Sequence, residues 1–486
     1  MKVSLETVLT AADAARAPFA ATTAKLRAAA LRRVADVLDA AAGELVPLAH
    51  LETHLPEKPR LHAELERTTF QLRLLAETVV EGGYLSVTID SPDTCWPAGG
   101  RADLRRMLVP AGPVAVFAAS NFPFAFGVAG GDTAAALAVG CPVVLKASPG
   151  HPLLSGRVGE LVSGALSSAG LPDGVFGVVH GVEEGRALVV DPRIRAGAFT
   201  GSRQGGRALF DLACSRPDPI PFHAEMGSVN PVFVTASAAA ERAEGIAEGY
   251  VASYTLGAGQ FCTKPGLVFV PAAAAADFES HVAAALAGHV AAPLLNDGIT
   301  ARYTAELDTL RSHPAVRVPV AGEGVAPTLL GCTAADFLAA REELLVECFG
   351  PTSMVVRYSS ADELLACARA FTGELSAAVH GAPDDAEAGQ LVALLTERVG
   401  RVLWNDWPTG VSVTYAMQHG GPYPATTMPG HTSVGTTALR RFLRPVVYQN
   451  MPQALLPEVL RDGNPLEVPR RVDGVLSRQT AQRPTA

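Results

Sequence analysis

From residue 112 the chain repeats one pattern, a short valine-rich run followed by a stretch of helical period. "GPVAVFAAS", "CPVVLKAS", "GVFGVVHG" and "AGAFTGS" are too short for amphipathic helices, and "FGVAGGDTAAALAVG", "PLLSGRVGELVSGALSSAG" and "GGRALFDLACS" separate them. Continuous apolar runs alternating with helices predict a parallel sheet covered on both faces and built from βαβ units. The chain is thereby constrained to an α/β fold with a doubly wound domain of the nucleotide-binding type.

A second group of runs, "NPVFVTAS", "GLVFVP", "SMVVRYS", "LSAAVHG" and "GRVLWND", needs a sheet of its own, with a helix through "AERAEGIAEGYVASYT". A boundary is expected near residues 225 to 230, and 486 residues with 48% hydrophobic content suffice for two or three folding units. Two segments, "GGYLSVTIDSPDTCWPAGGRADLRRMLVP" and "RRFLRPVVYQNMPQALLPEV", are extended and interrupted by proline, which suits strands that leave the globule and pair with a partner chain. The expected organisation is two doubly wound α/β domains plus a small β arm. Residues 1–85 and 108–226 form a dinucleotide-binding domain, 227–433 a catalytic domain, 86–107 and 434–470 oligomerisation arms, and 471–486 a tail.

A net charge of -9 without any long run of Lys or Arg excludes nucleic acid and favours small neutral or anionic ligands. The alanine-rich first 46 residues read as amphipathic surface helices rather than a signal peptide, and no apolar run is long enough for a membrane span. Seven cysteines, at 95, 141, 214, 262, 332, 348 and 367, contain no CxxC pair. That pattern predicts neither disulfides nor a metal site and fits a reducing cytoplasm.

Six stretches carry the chemistry: "AASNFPF", "VVLKASP", "FTGS", "HAEMGSVNP", "GQFCTKPG" and "ECFGP". In this order and at this spacing they resemble the aldehyde dehydrogenase superfamily over nearly the whole chain. Oxidation of an aldehyde by a nicotinamide first needs a tetrahedral adduct, because the sp² aldehyde carbon does not readily release hydride, and a thiolate is the natural attacking group. The resemblance makes Cys262 that nucleophile, Asn121 the side-chain donor to the oxyanion and Glu225 the general base that releases the acid. Burial beside Phe222 and Met226 is expected to raise the pKa of Glu225. Relatives that pass the acyl group to coenzyme A typically lack this glutamate, so its presence implies hydrolysis.

The same resemblance assigns Lys146 to the adenosine ribose and Glu347 and Phe349 to the nicotinamide half, with Ser120 beside them. Gly201 and Ser202, at a strand end opening into a helix, are expected to offer backbone N–H groups to a pyrophosphate. Where NAD-preferring relatives carry a ribose-gripping Glu three residues after the lysine, this chain has Pro149, which predicts NADP acceptance and preference, NAD remaining possible; His151, His180 and Arg186 are candidate phosphate partners.

Longer stretches, among them "HGGPYPATTMPGHTSVGTTALRRFLRPVVYQNMP", look like the branch that holds α-ketoglutaric semialdehyde (2,5-dioxovalerate) dehydrogenases and the long-chain aldehyde dehydrogenases of luminous bacteria, the first fitting better. That likeness implies oxidation of 2,5-dioxopentanoate to 2-oxoglutarate by a homodimer or homotetramer. Arg73, Lys264 or a group in "NDWPTG" would then meet the far carboxylate, whereas a fatty aldehyde would use Phe122, Phe126 and Trp407. Two other classes compete: a thiol esterase without redox chemistry, and a non-catalytic protein on the same fold.

Overall fold

The computed structural model describes residues 4–478, so the part of the expected tail from 479 onward lies outside the described residues. Four helices come first: Leu5–Ala20, Ala24–Ala40, Ala42–Thr53 and His62–Glu81. Ser4 and Thr23 cap the first two by accepting from the N–H groups of Thr7 and Leu26, contacts worth about 1 kcal/mol each. These helices are more than surface cover. The second buries Ala28, Leu31, Val34, Ala35 and Leu38 in the same core as the first sheet, because small alanines let the helices approach closely.

Strands β1 (Val87–Asp90) and β2 (Leu104–Pro110) precede the first parallel sheet. That sheet comprises β3 (Val114–Phe117), β4 (Val143–Lys146), β5 (Phe176–Val179), β6 (Ala196–Thr200) and β7 (Phe222–Glu225), in the order β5-β4-β3-β6-β7. The chain winds outward from β3 in both directions, which creates a switch point between β3 and β6.

The second sheet comprises β8 (Val232–Val234), β9 (Leu267–Pro271), β10 (Arg317–Val320), β11 (Thr328–Thr333), β12 (Thr352–Tyr358), β13 (Glu374–His380) and β14 (Val399–Trp404). Its order is β10-β11-β12-β9-β8-β13-β14, parallel except for β10 at the edge. Residues of β8, β9 and β13 are buried throughout, as two-sided cover by helices requires.

A third sheet adds β15 (Leu443–Gln449), β16 (Arg470–Val472) and β17 (Val475–Ser477) to the first two strands, in the order β15-β2-β1-β16-β17. The two extended segments thus pair with each other inside one chain, with Leu443 opposite Pro110 and Gln449 opposite Leu104. The β16–β17 hairpin carries this sheet to Ser477, past residue 471 where the tail was expected to begin. No helix among the described residues is long and apolar enough to cross a membrane.

Candidate active site

The carboxyl ends of the first sheet face the amino ends of the second. Lys146, Thr200 and Glu225 close β4, β6 and β7, while Cys262 and Glu347 lie just before β9 and β12. Functional groups at strand ends sit on rigid backbone yet border open space.

Cys262 follows a turn in which Gly257, Ala258 and Gly259 all have positive φ, at 57°, 54° and 70°. A Cβ at Gly259 would collide with the carbonyl of Gly350, so glycine is required where the two loops touch. Asn230 fixes the other side, its Nδ2 donating to the carbonyls of Cys262 at 2.8 Å and Lys264 at 3.0 Å. The buried carboxylate of Glu374 in turn accepts from Ser228 Oγ at 2.6 Å and Val229 N–H at 2.7 Å. Sequence reading missed Asn230 and Glu374, since their partners lie far away along the chain.

The Cys262 Sγ lies 3.6 Å from His419 Nε2, and the same nitrogen lies 2.9 Å from Glu225 Oε1. Ser433 Oγ donates to Glu225 Oε2 at 2.6 Å. One ligand atom from each of Cys262, His419 and Glu225 falls within 4.8 Å of the others. His419 is held by its backbone, where Thr432 Oγ1 accepts its N–H at 2.8 Å and Ser433 N–H donates to its carbonyl at 2.8 Å. His419 stood in the "HGGPYP" stretch quoted for the branch resemblance, but without a role.

Burial, and then the negative charges of Glu225 and Glu347, push the Cys262 thiol well above its ordinary pKa. The expectation for Glu225 needs correction. Desolvation does act to raise its pKa, but the charge of His419 and hydrogen bonds from His419, Ser433 and Cys262 outweigh it and hold the carboxyl below its usual value.

Asn121 begins the "NFPFAFG" loop, and its Nδ2 donates to Gln260 O at 3.0 Å, two residues before Cys262. Glu64 braces this loop by accepting from the N–H groups of Phe124 at 2.8 Å and Ala125 at 2.9 Å. Arg60 pairs with Glu64, donates to the Asn121 carbonyl at 3.0 Å, and stacks 4.3 Å from the Phe122 ring centroid. Phe122 meets Phe126 at 5.6 Å and Phe261, the residue before Cys262, at 5.1 Å, forming an aromatic wall.

A dinucleotide fits the opposite side. The Lys146 side chain is half-buried at the end of β4, desolvation lowers its pKa, and its ammonium has no partner among the described residues. The hydroxyl of Thr200, at the end of β6, is also buried without a partner. Ser202 caps the helix Arg203–Cys214 by accepting from Gly205 N–H. The N–H of Gly201, expected at the pyrophosphate, instead donates to the Glu225 carbonyl at 3.1 Å and couples β6 to β7. Ser120 Oγ lies 2.9 Å from Ser148 Oγ beneath the exposed Pro149 turn.

Arg186 is exposed in the helix Val182–Val190, next to Gly185, where a Cβ would approach Lys146 Cγ at 3.3 Å. His180 is half-buried just after β5. His151 does not face a phosphate: it is fully buried, with Nε2 at Ala119 O and Nδ1 at Ser155 Oγ. Glu347 packs against Gly227, and Phe349 follows it on the same loop.

Three candidates for the substrate's far end are placed elsewhere. Arg73 projects outward and pairs with Asp36 and Asp39, both at 2.7 Å. Lys264 is buried, with Nζ donating to the carbonyls of Cys348, Gly350 and Thr352, so it is a pillar of the Glu347 loop. Trp407 stacks on Tyr250 and His380 within the second sheet's helical layer. Phe122 and Phe126 lie nearer the site, Phe126 with its ring 6.3 Å from that of His419 and Phe122 packed on Phe126 and Phe261.

The sequence profile described as the aldehyde dehydrogenase family matches residues 2–423. The α-ketoglutaric semialdehyde dehydrogenase 2 of Azospirillum brasilense is 46% identical over 472 residues, covering 95% of this chain and 89% of that protein. The α-ketoglutaric semialdehyde dehydrogenase of Acinetobacter baylyi is 42% identical over 489 residues, with 98% and 92% covered. Among solved structures, a cysteine-to-alanine variant of aldehyde dehydrogenase C from Pseudomonas syringae, complexed with NAD+ and octanal, superposes with a TM-score of 0.77 at 21% identity, covering 91% of this chain and 88% of that one.

Proposed function

Because the chain belongs to the aldehyde dehydrogenase family, we propose that it oxidises 2,5-dioxopentanoate to 2-oxoglutarate, with NADP as hydride acceptor and water as acyl acceptor. The observation that carries this reading is the grouping of Cys262, His419 and Glu225 within 4.8 Å, beside the Asn121 amide. The two curated relatives bear names for this substrate class, which supports the choice of aldehyde.

The resting thiol is protonated, since burial and the carboxylate of Glu225 disfavour its charge. Attack on the aldehyde carbon therefore requires a proton acceptor, and the Glu225 carboxylate, within 4.8 Å of the Cys262 Sγ and held ionised by His419, provides one. The S–C bond forms, the thiol proton moves to the Glu225 carboxylate, and the developing oxyanion is met by Asn121 Nδ2 and the Cys262 N–H. Lys146, Ser202 and Thr200 would hold the dinucleotide, with Glu347 and Phe349 at its nicotinamide end; bound there, it supplies the hydride acceptor. After the first proton passes to solvent, the resulting thioester on Cys262 is hydrolysed when Glu225, its carboxyl again kept ionised by His419 and Ser433, takes a proton from water. The carboxylate forms, and the thiol is restored.

NADP is favoured over NAD because Pro149 puts no carboxylate where a 2′-phosphate would lie, with Lys146 and Arg186 nearby. Initial rates at 340 nm with 2,5-dioxopentanoate test both points. A kcat/KM for NADP above that for NAD is expected. A strong preference for NAD refutes the cofactor assignment, and no reduction of either nucleotide refutes the redox reaction itself.

A further inference from the structure

Arg67 lies on the helix His62–Glu81, three residues after Glu64, and Arg60 lies in the segment just before that helix. Its Nη1 is buried with no hydrogen-bond partner, and its Nη2 reaches only the Val411 carbonyl at 3.4 Å. No carboxylate lies within ion-pair distance of it among the described residues. Glu64, three residues earlier on the same helix, is occupied by Arg60, Phe124 N–H and Ala125 N–H. A buried guanidinium N–H without an acceptor is costly unless something else supplies one.

Arg67 lies next to the aromatic side chains near the thiol. Its guanidinium carbon is 5.6 Å from the Phe126 ring, Phe126 is 6.3 Å from the His419 ring, and His419 is in contact with Cys262. The negative charges of Glu64 and Glu225 reach it as well. Other cations around the aromatic wall are engaged: Arg60 by Glu64 and the Asn121 carbonyl, and Arg401 by the carbonyls of Gly410 and Pro408. A long alkyl chain passing Phe126 would leave the Arg67 donor without a partner, whereas a short chain ending in a carboxylate would pair it.

We propose that Arg67 receives the far carboxylate of the substrate and makes the enzyme selective for short oxo acids over uncharged aldehydes of equal length. This inference rests on the reading of Cys262 as the attacking thiol, since it is the contact through His419 that places Arg67 on the substrate's path.

The test compares wild type with Arg67→Met and Arg67→Lys on 2,5-dioxopentanoate, succinic semialdehyde and pentanal. For Arg67→Met the ratio of kcat/KM for the charged aldehydes over pentanal should fall about 100-fold, mostly through KM, with Arg67→Lys recovering part of it. An equal fall for charged and uncharged aldehydes assigns Arg67 a structural role and overturns the proposal, as does an unchanged ratio. Calorimetric binding of glutarate to the same three proteins needs no turnover. If wild type oxidises no aldehyde but Arg67→Met still loses glutarate binding, the anion site stands and the redox reading falls. If turnover is normal and glutarate binding is unaffected by Arg67→Met, the anchor falls and the redox reading stands.

Discussion

Glu347 is an acid kept neutral by its surroundings. Burial pushes its pKa up to about 8, with Lys264 acting in the opposite direction too weakly to restore the usual value near 4.5. Between about pH 4.5 and 8 the folded protein therefore holds a proton that the unfolded chain has lost, so this residue's contribution to stability falls as pH rises through that window. Glu347→Gln removes the penalty. Its Tm should exceed that of wild type by roughly 2–4 °C at pH 8 and match it near pH 4.5, on the scale of about 1 kcal/mol per degree for a chain of this size. Equal Tm values at pH 8 would show that the carboxyl is ionised and solvated.

Residue-scale electrostatics also explain why the Glu225 expectation had the wrong sign. Phe222 and Met226 are visible beside it in sequence, but His419 and Ser433, which reverse the shift, lie about 200 residues downstream. Arg67 was missed for a related reason. Arg73 on the same helix drew attention as a cation, yet six residues rotate a helix by about 240°, which turns Arg73 toward Asp36 and Asp39 and Arg67 toward Phe126.

At the scale of elements, the strands were legible because parallel-sheet strands buried on both faces leave continuous apolar runs, as in "PVAVF" for β3 and "LVFVP" for β9. The turn before Cys262 was legible because left-handed backbone selects glycine, although Ala258 at φ 54° shows that the requirement extends beyond the glycines. The loops that complete the site were not legible. Glu64 holds the Asn121 loop, Asn230 holds the Cys262 loop, and Lys264 holds the Glu347 loop by donating to three carbonyls. Each is a buried polar residue satisfying distant backbone, and its sequence neighbours give no sign of the partner. Lys264 was read as a substrate cation for this reason, since a lysine two residues after a reactive cysteine does not reveal that its ammonium turns inward.

For the whole molecule, the arrangement of three sheets leaves the third, built from β1, β2 and β15 to β17, away from the site, with the seven-residue strand β15 on an open edge. Arg444, Val447 and Gln449 of β15 are exposed. An unpaired edge bearing an apolar side chain invites pairing with a second copy, and on this ground we propose that the protein is a homodimer or homotetramer. Light scattering should give a mass at least twice that of one chain; a single-chain mass would contradict the proposal.

The central claim is that Cys262 carries the acyl group and Glu225 releases it. Glu225→Gln, mixed with NADP and 2,5-dioxopentanoate and quenched in acid, should show by intact mass spectrometry a covalent acyl adduct that maps to Cys262, formed with a burst of reduced nucleotide of about one per site. Turnover of Glu225→Gln at the wild-type rate without adduct, or an adduct on any other residue, would contradict the account.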